Sequence, residues 1–235
     1  MVHAGTSGWA YSSWKPDFYP AKLASAKFLS YYATRLNSVE VNYTFRSFPT
    51  DRLLKGWMDA TPAGFKFALK AHQSITHVKR LRGAAELVAK FVSCLQPLEK
   101  GGKLGPVLFQ LAPFLKCDVP LLTEFLAGLP RHLRAAFEFR DRSWFAEDVF
   151  AALRKQNCAL CQAESEEIQT PSVQTADFFY LRLRKDKYSA KSLRENMQRV
   201  AELGRRGDVF AYFKHEETPE GASRAEALLT AINTR

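Results

Sequence analysis

Short apolar runs alternate with longer amphipathic ones along the whole chain. The short runs are Val2–Ser7, Ser38–Asn42, Lys66–Lys70, Pro106–Leu111, Ala135–Phe139, Ala159–Gln162, Phe178–Leu183 and Val209–Phe213. They are bounded by turn or polar residues and predict strands. Between them, helical spacing predicts helices over Ala21–Leu36, Asp51–Ala60, Gly83–Leu98, Val119–Leu126, Ala146–Gln156, Ser189–Arg205 and Ala222–Ile232. Thr50 is placed to cap the second, and Pro62 stands just beyond its end. Ala163–Asp177 has weak periodicity and a Thr-Pro-Ser break, which predicts an irregular crossover between the sixth and seventh strands.

Eight strands alternating with about seven helices imply a mostly parallel sheet covered by helices. An open doubly wound sheet and a closed (β/α)8 barrel both fit that rhythm. No Gly-x-Gly-x-x-Gly follows the first strand, so a dinucleotide-binding sheet loses its main signature. Strand count and a length of 235 residues favour a single TIM-like α/β barrel domain over 1–235.

Polar residues interrupt these strands at one end only. Residues two apart share a strand face. Glu138 and Arg140 therefore point together, opposite Phe137 and Phe139. The same holds for Glu40 and Asn42, Lys70 and His72, Gln162 and Glu164, and Arg182 and Arg184, while Gln110 closes the fourth strand and Lys214 the eighth. An unpaired charge in an apolar run is expensive. In a barrel these ends converge on the face where catalytic groups gather, so the charges can neutralise one another around a shared cleft. Solvated strand-to-loop transitions would explain any one pair, but not their recurrence on seven of the eight strands. The predicted cleft holds Glu40 and Glu138 as an acid–base pair, with Glu164 a further carboxylate. Lys70 and Arg140 orient or neutralise them, and Arg182, Arg184 and Lys214 bind an anion, since guanidinium forks suit phosphate and carboxylate. An ion-pair lattice that only holds the barrel mouth together is the competing reading.

Composition changes this picture little. A hydrophobic share of 46% is that of a soluble globular protein, and no apolar run approaches a bilayer span. A formal charge of +10 points toward an anionic partner without naming it. The four cysteines form no disulfide framework and the first residues resemble no secretory signal, so the expected compartment is the reducing cytoplasm. Cys158 and Cys161 form a C-x-x-C, but within a strand they fall on opposite faces and are expected in the packing. His72 is expected to be structural. His77 is balanced between a general base and a structural role, and no metal-ligand spacing accompanies either, so no metal or other cofactor is assigned. Ser7 and Gly8 lack the G-x-S-x-G of a serine hydrolase. Trp9, Tyr11, Phe45 and Trp144 could form an aromatic wall beside the cleft, whereas Trp14, Phe18 and Tyr19 read better as a hydrophobic plug.

Taken in order, GTSGWAYSSW, VEVNYTF, FKFALKAHQSITHVKRL, GPVLFQLAPF, AAFEFRDRSWF and FFYLRLR resemble the motifs of the YecE-like family, domain of unknown function 72, from Gly5 to about Phe213. The resemblance implies a TIM-type barrel. It also implies that Trp9, Tyr11, Glu40, Asn42, Thr44, Lys70, His77, Gln110, Glu138, Arg140, Ser143, Trp144 and Arg182 belong to family motifs. It brings no reaction. The chain departs from the pattern at Arg46-Ser47, where Tyr-Arg is usual, at Arg184-Lys185, where His-Gly is usual, and at Lys214-His215, where Asn-Asn is usual. The last two changes add cations to the predicted cleft.

The combined expectation is an enzyme acting on a small anionic, phosphorylated substrate. Its catalytic groups would be Glu138, Glu40, Lys70 and Arg140, with Trp9, Tyr11, Asn42, His77, Gln110, Trp144, Arg182, Arg184 and Lys214 binding substrate. Hydrolase, lyase and isomerase chemistry all fit. A nucleic-acid-binding protein using the basic mouth and loops, or a non-catalytic scaffold, are the alternatives.

Overall fold

The computed structural model describes residues 1–164, 168–185, 187–214 and 218–233. Eight parallel strands, β1 (Val2–Thr6), β2 (Ser38–Val41), β3 (Lys66–Lys70), β4 (Leu104–Gln110), β5 (Ala135–Glu138), β6 (Ala159–Glu164), β7 (Phe178–Leu183) and β8 (Asp208–Phe213), form one sheet in the order β1-β8-β7-β6-β5-β4-β3-β2. Helices α1 (Phe28–Arg35), α2 (Asp51–Asp59), α3 (Ala85–Lys100), α4 (Val119–Ala127), α5 (Glu147–Lys155), α6 (Ala190–Gly204) and α7 (Glu220–Asn233) surround it. This is a TIM-like (β/α)8 barrel, nearly closed, with all strand C-termini on one face. Among the described residues no helix connects β6 to β7, as the weak periodicity there predicts. No helix among the described residues is long and apolar enough to cross a membrane.

The sheet closes at β1 and β2 without a ladder between them. Side chains supply the missing hydrogen bonds. Asn37 Oδ1 accepts from the Ala4 amide at 2.8 Å and its Nδ2 donates to the Val2 carbonyl at 2.9 Å. The Tyr32 hydroxyl donates to the Ser38 carbonyl at 3.0 Å and accepts from the Thr6 amide at 2.9 Å. Buried backbone groups demand such partners. The strands approach so closely here that a Cβ on Gly5 would stand 1.9 Å from the Ser38 carbonyl oxygen, so only glycine fits.

Both strand faces are buried, with different fillings. Outward residues such as Val39, Phe67, Phe109 and Phe137 pack beneath the helices. Inward, β3 to β6 contribute the small or slim Ala68, Leu108, Ala136, Ala159 and Cys161, and β7 and β8 contribute Phe178, Tyr180, Phe210 and Tyr212. The rings of one half fill the lumen left by the small side chains of the other, so the barrel is packed rather than hollow. Cys158 belongs to the outer cluster and Cys161 to the inner one, so the C-x-x-C pair is split across the sheet.

Helix starts follow the local sequence. Thr50 Oγ1, Asp118 Oδ1 and Ser189 Oγ accept from amides three residues on, at 3.3, 3.0 and 3.1 Å. Each such cap contributes about 1 kcal/mol. The expected helix over Ala21–Leu36 is shorter than its pattern. A turn and a 3-10 segment, Ser25–Lys27, precede α1. The chain there is held by a plug in which Trp14, Phe18 and Tyr19 are fully buried and Tyr19 stacks on Phe28 at 4.3 Å.

Candidate functional site

The inward register of each strand carries its last polar residue into the mouth at the C-terminal face. Glu40 on β2, Lys70 on β3, Gln110 on β4, Glu138 on β5 and Arg182 on β7 meet there in a continuous hydrogen-bonded chain. Lys70 Nζ donates to Gln110 Oε1 at 2.7 Å, and Gln110 Nε2 donates to Glu138 Oε1 at 2.9 Å. Arg182 Nη1 donates to Glu138 Oε2 at 2.6 Å and Nη2 to Glu40 Oε1 at 2.7 Å. The Tyr180 hydroxyl closes the chain on Glu40 Oε2 at 2.7 Å. Gln110 is locked in one orientation, because reversing its amide would set donor against ammonium and acceptor against carboxylate.

Arg182, Glu40 and Glu138 are each at most 3% exposed. Burial by itself would raise both carboxylates. The charge of Arg182 outweighs it, assisted by Arg184 and Tyr180 at Glu40 and by Gln110 and Arg140 at Glu138. Glu40 is thereby brought to about 2, and Glu138 also lies below the ordinary carboxylate range. Neither carries a proton near neutral pH. The expected acid–base pair is therefore corrected to a pair of fixed anions sharing one guanidinium. Arg182, expected to bind an anionic ligand, is committed to these two carboxylates. It also fills the place between them that a cation would take. Of the competing readings for these three residues, the ion-pair lattice is the one the geometry supports.

The groups around the lattice differ. Lys70 is half-buried and its Nζ lies 4.0 Å from the Phe45 ring centroid. Burial and then the charge of Arg182 pull its amine down to about 8, against the opposing pull of Glu40 and Glu138. His77 is half-buried, its ring edge-on to Phe45 at 4.9 Å and its Nδ1 2.9 Å from Thr76 Oγ1. Burial, Lys70 and Arg140 lower it below the ordinary histidine value, so it is neutral at pH 7. Arg140 follows β5, half-buried. Arg184 Nη1 donates to Ser7 Oγ at 3.3 Å, and Ser7 also hydrogen-bonds to Glu40. Lys214 follows Tyr212 by two residues at the end of β8, half-buried; its neighbour His215 lies outside the described residues.

Beside the mouth, a cavity of about 350 Å³ opens between the ends of β1 and β2. It gathers the predicted Trp9, Tyr11 and Asn42 and adds Tyr43 and Trp57, with Ser7 common to cavity and mouth. Burial raises the Tyr11 phenol to about 12. Asn42 Oδ1 is buried with no hydrogen-bond partner among the described residues.

Other expectations are redirected. Trp144 lines no part of the mouth: it is fully buried, stacked on Phe139 at 4.8 Å, with Nε1 donating to the Leu115 carbonyl at 2.7 Å. Glu164 and Gln162 point outward. Glu164 pairs with Lys185 at 3.0 Å and accepts from Tyr188 at 2.9 Å, while Gln162 accepts from Arg199 of α6. On β6 the inward register belongs to Ala159, Cys161 and Ala163. His72 is structural, its ring stacked on Phe48 at 4.6 Å and its Nδ1 2.7 Å from Ser74 Oγ. Tyr180 and Trp57 escaped the sequence reading. Tyr180 had a signal, since it stands two residues before Arg182 on the same face. Trp57 comes from α2, and no local pattern ties it to the β1 loop.

The profile of the family described as "Protein of unknown function DUF72" matches residues 3–235. The chain is similar to the UPF0759 protein YunF of Bacillus subtilis (strain 168), 32% identical over 160 residues, covering 64% of this chain and 54% of YunF. It is 29% identical over 148 residues to the UPF0759 protein YecE of Escherichia coli (strain K12), covering 63% of this chain and 51% of YecE. The chain spans about half the length of the curated relatives it matches. A solved DUF72 family protein from Thermotoga maritima is similar with TM-score 0.88 and 26% identity, covering 99% of each chain. One from Enterococcus faecalis V583 gives TM-score 0.84 at 17% identity, covering 99% of this chain and 96% of that one, and bears on the fold alone.

Proposed function

The chain belongs to the DUF72 family, and from that premise we propose that it is an enzyme whose barrel mouth binds a small anionic, phosphorylated substrate. The observation that carries this reading is the placement of Lys70 and Arg140. The two buried carboxylates of the mouth are consumed by Arg182. Lys70 is left with a neutral amide as its hydrogen-bond acceptor, and Arg140 has no ion pair among the described residues. Two half-exposed cations at the ends of β3 and β5, on either side of β4 and flanked by neutral His77, form a receptor for a phosphate or carboxylate. Arg184 and Lys214 extend the positive rim. The lattice of Glu40, Arg182 and Glu138 holds the floor rigid, which is what a preorganised site requires. The cavity containing Trp9, Tyr11 and Asn42 accommodates the uncharged part of the substrate.

The test is a thermal-shift panel of inorganic phosphate, sulfate, sugar phosphates, nucleotides and short oligonucleotides against the wild type and Arg140→Met. A ligand at a hundredfold excess over its Kd stabilises by about 2.7 kcal/mol, roughly 5–10 °C for a chain of this length. The expected result is a shift by one class of small phosphate ester, lost in Arg140→Met. A shift by oligonucleotides alone, erased by salt and unchanged in Arg140→Met, overturns this reading in favour of nucleic-acid binding.

A further inference from the structure

Lys103 and Lys70 are both drawn into the packing of this barrel, and they are treated differently. Lys103 Nζ donates to the Met58 carbonyl, the Thr61 carbonyl and Thr61 Oγ1 at 2.7, 2.5 and 2.9 Å. Its three donors are satisfied, as a structural ammonium requires. Among the described residues Lys70 Nζ has the single acceptor Gln110 Oε1, and it otherwise faces the Phe45 ring. The carboxylates that could have held it as an ammonium are turned away onto Arg182. Gln110 in turn is fixed by Glu138, so the amine is aimed by a neutral group that cannot rotate away.

We propose that Lys70 is a covalent nucleophile that forms an imine with an aldehyde or ketone bearing a phosphate or carboxylate group. This rests on the anion-binding reading of the same mouth and names the substrate's second functional group. The neutral amine adds to the carbonyl carbon. A C–N bond forms, and the carbonyl oxygen takes up a proton to give a carbinolamine. A second proton, taken from solvent, lets that hydroxyl leave as water while the nitrogen lone pair closes the C=N bond, giving a protonated imine and one water per linkage. Arg140 holds the anionic group, and His77, on the same Phe45 ring, is the neutral base at the mouth able to carry the proton. The iminium withdraws electrons from the adjacent carbon, so the chemistry it suits is making or breaking a bond at that carbon. The shift of the amine to about 8 fits this role, because it raises the fraction of free amine at pH 7 a few hundredfold over an ordinary lysine. Burial is its largest cause, with Arg182 and Arg184 acting in the same direction and Glu40 and Glu138 opposing. The Phe45 ring favours the ammonium and tempers the shift.

The experiment is reductive trapping on the full chain. The protein is treated with limiting glyoxylate and sodium cyanoborohydride from pH 6 to 9, and the labelled lysines are mapped by peptide mass. A carboxymethyl group on Lys70, acquired at least tenfold faster than on exposed Lys187, supports the proposal. Its rate should rise with pH to a plateau set by a midpoint near 8. Inorganic phosphate should slow labelling of Lys70 and leave Lys187 unaffected. Lys70→Arg should lose the fast label while Lys187 is labelled as in the wild type. Uniform labelling of all lysines overturns the proposal. If phosphate still shifts the melting point in that case, the imine is refuted and the anion site stands. If phosphate neither shifts the protein nor slows labelling, both fail.

Discussion

The two ends of this barrel use the same residue types in opposite ways. At the N-terminal end, Asp208 pairs with the amino group of Met1 at 2.8 Å and with Arg134 at 2.7 Å. These groups are exposed or partly exposed, and water does most of the screening. At the C-terminal end, Arg182 pairs with Glu40 and Glu138 at similar distances in a site with almost no solvent access. The surface cluster can be lost cheaply. The buried one cannot lose a member without stranding a charge. The second end also carries Lys70 and Arg140, which have no ion pair among the described residues. Distance alone therefore says little about what an ion pair does, and desolvation decides.

The sharpest way to break this comparison is Arg182→Leu. Two carboxylates then face each other in the barrel, and the expected destabilisation at pH 7 is about 4 kcal/mol or more. The sign with pH is distinctive. In the wild type, Glu40 has a folded pKa below its unfolded value, so its stabilisation is present above about 4.5 and lost as pH falls toward 2. In the variant the carboxylates are raised instead, and acidification restores them to neutrality. The gap in denaturant midpoint between the two proteins should narrow from pH 7 to pH 4. A constant gap would show that Arg182 acts only by packing.

Next in size is His3, at the N-terminal end but inside the lumen. Its ring is buried, stacks on Phe210 at 4.7 Å, and leaves Nδ1 without a partner among the described residues. Burial is the main cause that lowers it to about 4, with Lys66, the amino terminus and Arg134 adding to it and Asp208 opposing. Its folded pKa is below the unfolded one, so stability is full above about 6.5 and falls as pH drops toward 4. The size is about 3 kcal/mol. His3→Gln should flatten that part of the stability profile, measured as the difference from wild type at each pH. An unchanged slope would place the titration elsewhere.

The smallest effect is expected for Arg134→Ala on the outer surface of the same end. The loss should stay below about 1 kcal/mol and shrink further in salt. A loss as large as that of Arg182→Leu would erase the distinction between the two ends.

Much of this site was legible before the fold. The two-residue spacing of Glu138 and Arg140, and of Arg182 and Arg184, marks strand ends that change from packing to chemistry. Glu40, Lys70, Gln110, Glu138 and Arg182 all meet where that pattern sends them. The same spacing misplaced Glu164, because both faces of a barrel strand are buried and periodicity cannot say which one is inside. The small inward residues of β6, Ala159 and Cys161, were the missed clue. Trp144 misled for a similar reason, since an aromatic after a strand serves a wall and a core equally well.

The sequence by itself determined the elements and their faces: where helices start, at Thr50, Asp118 and Ser189, and which side chains travel together along each strand. These are local matters of hydrogen-bond capping and backbone period, settled within a few residues. Only the tertiary structure decided that Arg182 reaches across 142 positions to Glu40 and 44 to Glu138. That pairing turned two expected proton carriers into fixed anions and left Lys70 without a carboxylate partner among the described residues. A pKa is set by whichever charges and whatever solvent surround a group, and closure of the barrel brings those charges together and expels that solvent.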